Sequence, residues 1–349
     1  MKIHMGPVQL GAPDDLEEAI TGFIDDARER LLIAVQELES LTVTNAILRA
    51  RARGVRIRMI LEAHYLGVDH PLPDPWQAGG ENEANRQIIT ALLRAGIDVV
   101  FDLNPATFHQ KFVVRDPEGS RAAVLTGSTN FTPTGIARNL NHVVIIEGRR
   151  VSGLYLDEFE EAWSGTFGIK RERHEPRPRT YRVAKVMVKV LFAPDHTPEL
   201  EIMKQMLTAR KRVDFAMFTF AQSSGIDDAM ICVHRSGVPV RGVLDRRQAN
   251  QKWAATRPIS NAGAKLWWPR TGIGVGKVHH KLMIVDEEVI VVGSFNFTGP
   301  ANRINDENII VIGNILETDA EALKRQRRIG TYAREEIDRI ISNLSEPIP

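Results

Sequence analysis

The sequence repeats itself, and that repeat limits the possible folds more than any other feature. Ala27 to Glu62, ARERLLIAVQELESLTVTNAILRARARGVRIRMILE, stands against Ala209 to Asp245, ARKRVDFAMFTFAQSSGIDDAMICVHRSGVPVRGVLD. Each reads as a basic helix end, an apolar strand, a polar turn, a second helix, a Gly-Val pair and a β-branched strand closing on an acid. A second pair follows, FHQKFVVRDPEGSRAAVLTGSTNFTPTG from Phe108 and VHHKLMIVDEEVIVVGSFNFTGPAN from Val278. Both give two apolar strands around an acidic turn, then Gly-Ser-x-Asn-Phe-Thr, the first copy having four extra residues in its turn. Strands alternating with helical patterns, used twice, predict an α/β fold of two duplicated lobes, each a mixed β-sheet flanked by helices. Residues 1–168 form the first repeat, 169–186 a basic linker rich in IKRERHEPRPRTYR, and 187–349 the second. Packing about a pseudo-two-fold axis would turn the two polar motifs toward each other.

Composition removes several function classes without choosing one. The chain has 349 residues and a formal net charge of +1, so a basic footprint for nucleic acid or membrane must be local. Cys232 is the one cysteine, which excludes an internal disulfide and a cysteine zinc cluster and suits a reducing compartment. The N-terminal MKIHMGPVQLGAPDD lacks the apolar core of a secretory signal, and no run approaches the roughly 18 apolar residues of a membrane span. A soluble, cytoplasmic protein is the expectation.

In a strand, side chains two apart share a face, so His109 and Lys111 project together, as do His279 and Lys281. Asp116 and Asp286 follow at the turns, and Asn130 and Asn296 arrive one strand later, after Ser128 and Ser294. Two histidines, two lysines and two asparagines meeting at an interface suit a phosphodiester. A neutral imidazole attacks phosphorus, a protonated one donates to the leaving oxygen, and lysines, amides and hydroxyls hold the non-bridging oxygens. Such a site requires no metal.

These residues resemble the phospholipase D superfamily, whose signature of His-x-Lys, four residues, Asp, then Gly-Ser-x-Asn is present twice, covering nearly the whole chain through the repeat. Its nuclease-like bacterial or archaeal members are the nearest in character. The resemblance implies one active site between two lobes and a two-step reaction through a phosphohistidine, with no metal and no cofactor. The catalytic set it implies is His109, Lys111, Asp116, His279, Lys281, Asp286 and Glu307, with Ser128, Asn130, Ser294 and Asn296 on the phosphate. By analogy His109 is the nucleophile and His279 the general acid. An acid after the asparagine supports the partner histidine in that family; Glu307 fills the place, whereas the aligned residue in the first repeat is Asn141. A carboxylate favours the protonated form of whichever imidazole it touches, and contact with His279 would fit the acid role.

Other features take blander expectations. His280 faces away from His279, and His142, His234 and His64 read as structural or surface residues. TGIGVGK departs from a phosphate loop at both ends and precedes a strand, so it reads as a flexible lip from which Lys277 reaches substrate. Of Trp267 and Trp268, one belongs in the core and the other, Trp268, is a candidate for stacking at the mouth. The basic runs Lys170 to Arg173 and Lys324 to Arg328 are candidates for tracking a phosphate backbone. A nuclease on single-stranded DNA or RNA leads. A phospholipase D or transphosphatidylase, which alone would need a membrane, and a non-catalytic nucleic-acid-binding scaffold are the alternatives. The two repeats can complete the site within one chain, whatever its oligomeric state.

Overall fold

The computed structural model describes residues 1–170 and 177–349 and contains two mixed sheets built to one plan. The first repeat supplies β1 (Lys2–Gly6), β2 (Arg30–Val35), β3 (Arg56–Leu61), β4 (Asp98–Phe101), β5 (Lys111–Arg115), β6 (Ala123–Gly127) and β7 (Asn141–Glu147). They lie in the order β1-β7-β6-β5-β2-β3-β4. The second supplies β8 (Thr180–Val183), β9 (Val186–Ala193), β10 (Val213–Met217), β11 (Val240–Leu244), β12 (Lys265–Pro269), β13 (Lys281–Val285), β14 (Val289–Gly293), β15 (Glu307–Ile312) and β16 (Ser345–Pro347). Their order, β16-β12-β11-β10-β13-β14-β15-β9-β8, repeats the first sheet strand for strand from β9 to β12 and adds one strand at each edge. β2 and β3, like β10 and β11, are parallel because a helix crosses between them, Leu41–Ala52 in one lobe and Ile226–Arg235 in the other.

Strands β5, β6, β13 and β14 are buried along their whole length, which is why they read as continuous apolar runs rather than alternating ones. One core cluster lies on the outer side of each sheet; a third draws on both lobes and fills the space between them. The helices Arg149–Trp163 and Ala320–Arg339 belong to this inner layer. An aromatic ladder crosses it: Phe112 on β5 meets Tyr155 with ring centroids at 5.0 Å, and Tyr155 meets Phe192 on β9 at 5.1 Å, both edge to face. The Tyr155 hydroxyl donates to Asn308 Oδ1 on β15 at 3.2 Å.

Two expectations change. The linker expected over 169–186 ends earlier, because β8 and the start of β9 form a hairpin within it; Ala184 and Lys185 take positive φ values of 45° and 73° at its tip, a turn that Ala-Lys does not advertise. Residues 171–176 of that stretch, with most of the Lys170 to Arg173 run, lie outside the described residues. The Lys324 to Arg328 run is on the helix Ala320–Arg339, where Arg325 pairs with Glu321 at 2.8 Å and Arg327 with Glu288 at 2.7 Å. Glu288 is in the turn at the end of β13 opposite His279, so this run flanks the wrong end of the sheet to feed a substrate to the histidines. Among the described residues no helix is long and apolar enough to cross a membrane.

Tyr155→Ala should lower stability by roughly 3–5 kcal/mol by opening a cavity between the lobes, and Tyr155→Phe by about 1 kcal/mol through the lost hydroxyl. Urea unfolding of both variants is the measurement.

Candidate active site

Each motif histidine stands just ahead of a central strand, its own backbone tied to the other repeat. His109 N–H donates to the carbonyl of Asp306 at 2.9 Å, and His279 N–H to that of Leu140 at 2.9 Å. The acids that close β3 and β11 hold the preceding residue, Glu62 Oε2 accepting from Phe108 N–H at 2.7 Å and Asp245 Oδ2 from Val278 N–H at 3.2 Å. The Gly of each Gly-Ser pair ends β6 or β14 with φ of +153° or +148°, where a Cβ would overlap the carbonyl of His142 or Asn308. Only glycine lets β7 and β15 come close enough for their first residues to reach the histidines.

Glu307 opens β15 in the second repeat, yet its Oε2 lies 2.7 Å from Nδ1 of His109 in the first. Asn141 opens β7 in the first repeat, and its Oδ1 lies 2.9 Å from Nδ1 of His279 in the second, with the Ser128 carbonyl at 3.0 Å. Because all these partners are acceptors, the proton on each ring sits at Nδ1 and the lone pair at Nε2. The imidazole that Glu307 touches is that of His109 and not that of His279, so the carboxylate lends no support to an acid role of His279. Ser294 Oγ donates to Glu307 Oε2 at 2.5 Å and Ser128 Oγ to Asn141 Oδ1 at 2.8 Å. Both serines are fully buried, with their hydroxyls spent on orienting the histidines' partners.

Lys111 Nζ donates to the His109 carbonyl at 2.9 Å and to Gln36 Oε1 at 3.0 Å. Lys281 Nζ donates to the His279 carbonyl at 2.9 Å, but Phe218 replaces Gln36, and the ammonium sits 5.1 Å from its ring centroid. Burial pushes Lys111 down to about 8 against the pull of Glu307, and burial with Lys111 nearby holds Lys281 well below the usual lysine value. Burial takes His109 down to about 4, opposed by Glu307. His279 is held well below the usual histidine value by burial, then by Lys281 and Lys111. Lys281, Lys111 and Lys277 all stand near enough to act on the His279 ring, and three ammonium groups so placed suit an anion.

The remaining residues divide. Asn130 and Asn296 are half-buried at the mouth; Asn130 Nδ2 donates to Glu37 at 2.7 Å, and Asn296 Oδ1 accepts from Thr219 N–H at 3.3 Å. Lys277 reaches the site, its ammonium 5.4 Å from the Phe218 ring centroid. The segment before it is no loose lip, since Gly276 N–H bonds the Arg138 carbonyl and the Lys277 carbonyl accepts from Leu140 N–H. Trp268 packs on the outer core beneath Arg246 and donates to Glu346, which corrects its place at the mouth. Asp116 and Asp286 take no part in the chemistry expected of them. Each lies seven residues beyond its histidine, roughly 20 Å along an extended chain, in the left-handed region at φ 47° and 56°. The carboxylate of Asp116 accepts from the N–H groups of Arg28, Glu29 and Arg30, that of Asp286 from those of Arg210, Lys211 and Arg212, pinning the entry to β2 and β10. Glu37, Tyr65, Gln36 and Phe218 were not singled out from the sequence. Their one signal is position, immediately after the strand that pairs with the motif strand, or in the loop unique to the first repeat.

The family model described as "Cardiolipin synthase, PLD-like domain" matches residues 20–163 and 202–326, one stretch in each lobe. The chain belongs to the phospholipase D superfamily. A phospholipase D of Rickettsia bellii is 30% identical over 148 residues, 40% of this chain and 70% of that protein. The human mitochondrial cardiolipin hydrolase is 29% identical over 137 residues, 39% of this chain and 46% of that one, so the matches span from under half to somewhat over two thirds of these relatives. The phosphatidylserine synthase of Haemophilus influenzae shares the superfamily fold with a TM-score of 0.66 over 99% of this chain and 87% of that one, at 12% identity.

Asp286→Ala strips three backbone donors of their acceptor and should lower stability by roughly 2–5 kcal/mol while the folded fraction keeps its phosphate affinity. Thermal unfolding with and without inorganic phosphate separates the two effects.

Proposed function

We propose that this chain is a phosphodiesterase working through a phosphohistidine, with a nucleic acid as substrate. The observation that carries the reading is the exchange of Nδ1 partners between repeats, which turns two chemically matched rings into an unequal pair with both Nε2 atoms free for phosphorus chemistry. His109 Nε2 attacks phosphorus; the P–N bond forms as the P–O bond to the leaving arm breaks, and the leaving oxygen takes the proton of His279 Nε2. The ring gains positive charge as the P–N bond forms, and the Glu307 carboxylate at its Nδ1 stabilises that charge, which is why the nucleophile is His109. In the second step His279 takes a proton from water, the water oxygen bonds phosphorus, and the P–N bond breaks. Lys111 and Lys281 neutralise the non-bridging oxygens, the task a divalent cation performs elsewhere, and Asn296 Nδ2 donates a hydrogen bond to them. Phe218, Lys277 and the exposed Trp253 beside the site suit a base and its phosphate. A phospholipid diester is the second reading, favoured by the names of the relatives.

End-labelled single-stranded DNA and RNA in excess EDTA test the first reading: wild type should cut, His109→Ala should not, and His279→Ala should be slower by about 10²–10⁴. Liposomes of phosphatidylethanolamine and cardiolipin test the second; turnover there with both strands intact would replace the nuclease. The pH profile has a definite sign. His279 must be protonated to act, and its proton affinity is depressed, so kcat/KM should climb as pH falls from about 8 towards about 4. Protonation of His109 at about 4 closes the acid side, and loss of the Lys111 proton above about 8 weakens phosphate binding. The apparent values belong to the coupled pair.

A further inference from the structure

The site is two-fold in its motif residues and lopsided in the charge around them. On the first-repeat side Glu37, two residues past β2, reaches into the mouth, where its Oε1 accepts from Asn130 Nδ2 at 2.7 Å and from the Tyr65 hydroxyl at 2.6 Å. One of the two amide donors that Asn130 would turn to a phosphate is thereby engaged by a carboxylate. Glu62 and Glu39 stand near enough to act on the same tyrosine hydroxyl. The matching residue of the second repeat, two past β10, is Thr219, which meets Asn296 through its uncharged backbone N–H. Around it lie Lys277 and Lys281 over the Phe218 ring, and a cleft of about 570 Å³ lined by Gln222, Lys252, Trp253, Thr298 and Pro300, in which Trp253 is 43% exposed.

A polynucleotide threaded through the site carries a phosphate on each side of the one being cut. On the second-repeat side that phosphate meets ammonium groups and an indole; on the first it meets a half-buried carboxylate, where like charges are poorly screened. We propose that Glu37 makes the cleft one-sided, so that the polyanionic arm lies over Phe218, Lys277 and Trp253 and the Glu37 side admits only an uncharged, hydrogen-bond-donating group such as a terminal nucleoside. Cleavage then occurs at chain ends. The inference rests on the nucleic-acid reading above for its substrate, and on Glu37 for its direction.

The test uses two single-stranded oligothymidylates of equal length, one linear with free terminal hydroxyls and one circular, alongside bis(4-nitrophenyl) phosphate. Wild type is expected to shorten the linear strand and leave the circle closed. Glu37→Gln, which keeps an acceptor for Asn130 and Tyr65, should raise the ratio of circle opening to small-diester hydrolysis by about tenfold or more. Equal rates on linear and circular strands by wild type, or a circle as resistant in Glu37→Gln as in wild type, overturn the proposal and leave the nuclease standing. If wild type cuts neither strand, the nuclease reading falls instead, and the affinity for inorganic phosphate by calorimetry decides the role of Glu37. About tenfold tighter binding by Glu37→Gln is expected; equal binding removes Glu37 from anion exclusion.

Discussion

A fully buried carboxylate in one repeat, bonded to a histidine of the other, is the interaction on which this molecule depends. Glu307 is sealed from water and holds His109 Nδ1 and Ser294 Oγ on the same oxygen. A buried charge without such partners costs several kcal/mol, so the lobes hold the docking that keeps all three together. A polar interlock repeats the crossing one residue further along each repeat. Asn308 Nδ2 donates to Gln110 Oε1 at 2.6 Å, and Gln110 Nε2 to Glu158 at 2.9 Å. At the pseudo-equivalent place His142 and His280 meet Nδ1 to Nδ1 at 3.2 Å, with Glu336 3.6 Å beyond. Stability, register and catalytic geometry are thus one property of one interface.

Duplication by itself would give two equal histidines, and a reaction that needs a nucleophile and an acid gains nothing from equality. The inequality comes from a few substitutions against a constant backbone. Glu307 against Asn141 gives one ring a carboxylate and the other an amide and a carbonyl. Gln36 against Phe218 gives one lysine a second hydrogen bond and the other an aromatic face. Glu37 against Thr219 places negative charge on one lip alone. The anchors that carry no chemistry remain two-fold: Asp116 with Asp286, Glu62 with Asp245, Gly127 with Gly293.

The same motif letters therefore cover different physical jobs. In His-x-Lys the two side chains share a strand face, a local fact that period-two geometry guarantees. The aspartate that completes the signature is equally local, but its work is to hold the neighbouring strand's entry, seen only once β2 and β10 are laid beside β5 and β13. Ser128 and Ser294 look like phosphate ligands beside a glycine, yet the close approach which that glycine permits buries them completely. The β8–β9 hairpin escaped a reading of its stretch as linker because Ala184 and Lys185 take left-handed conformations that neither residue prefers.

The sequence by itself determined the duplication, the mixed α/β sheets and the strands that carry His109, Lys111, His279 and Lys281, because periodicity and repetition are properties of neighbours along the chain. Only the tertiary structure decided that Glu307 serves His109 and not His279, that Glu37 and Tyr65 close one lip, and that Trp268 stands off the mouth. The reason is separation: the Glu307 to His109 contact joins residues 198 positions apart across an interface, and no spacing within either repeat encodes which imidazole a carboxylate will meet when the lobes close.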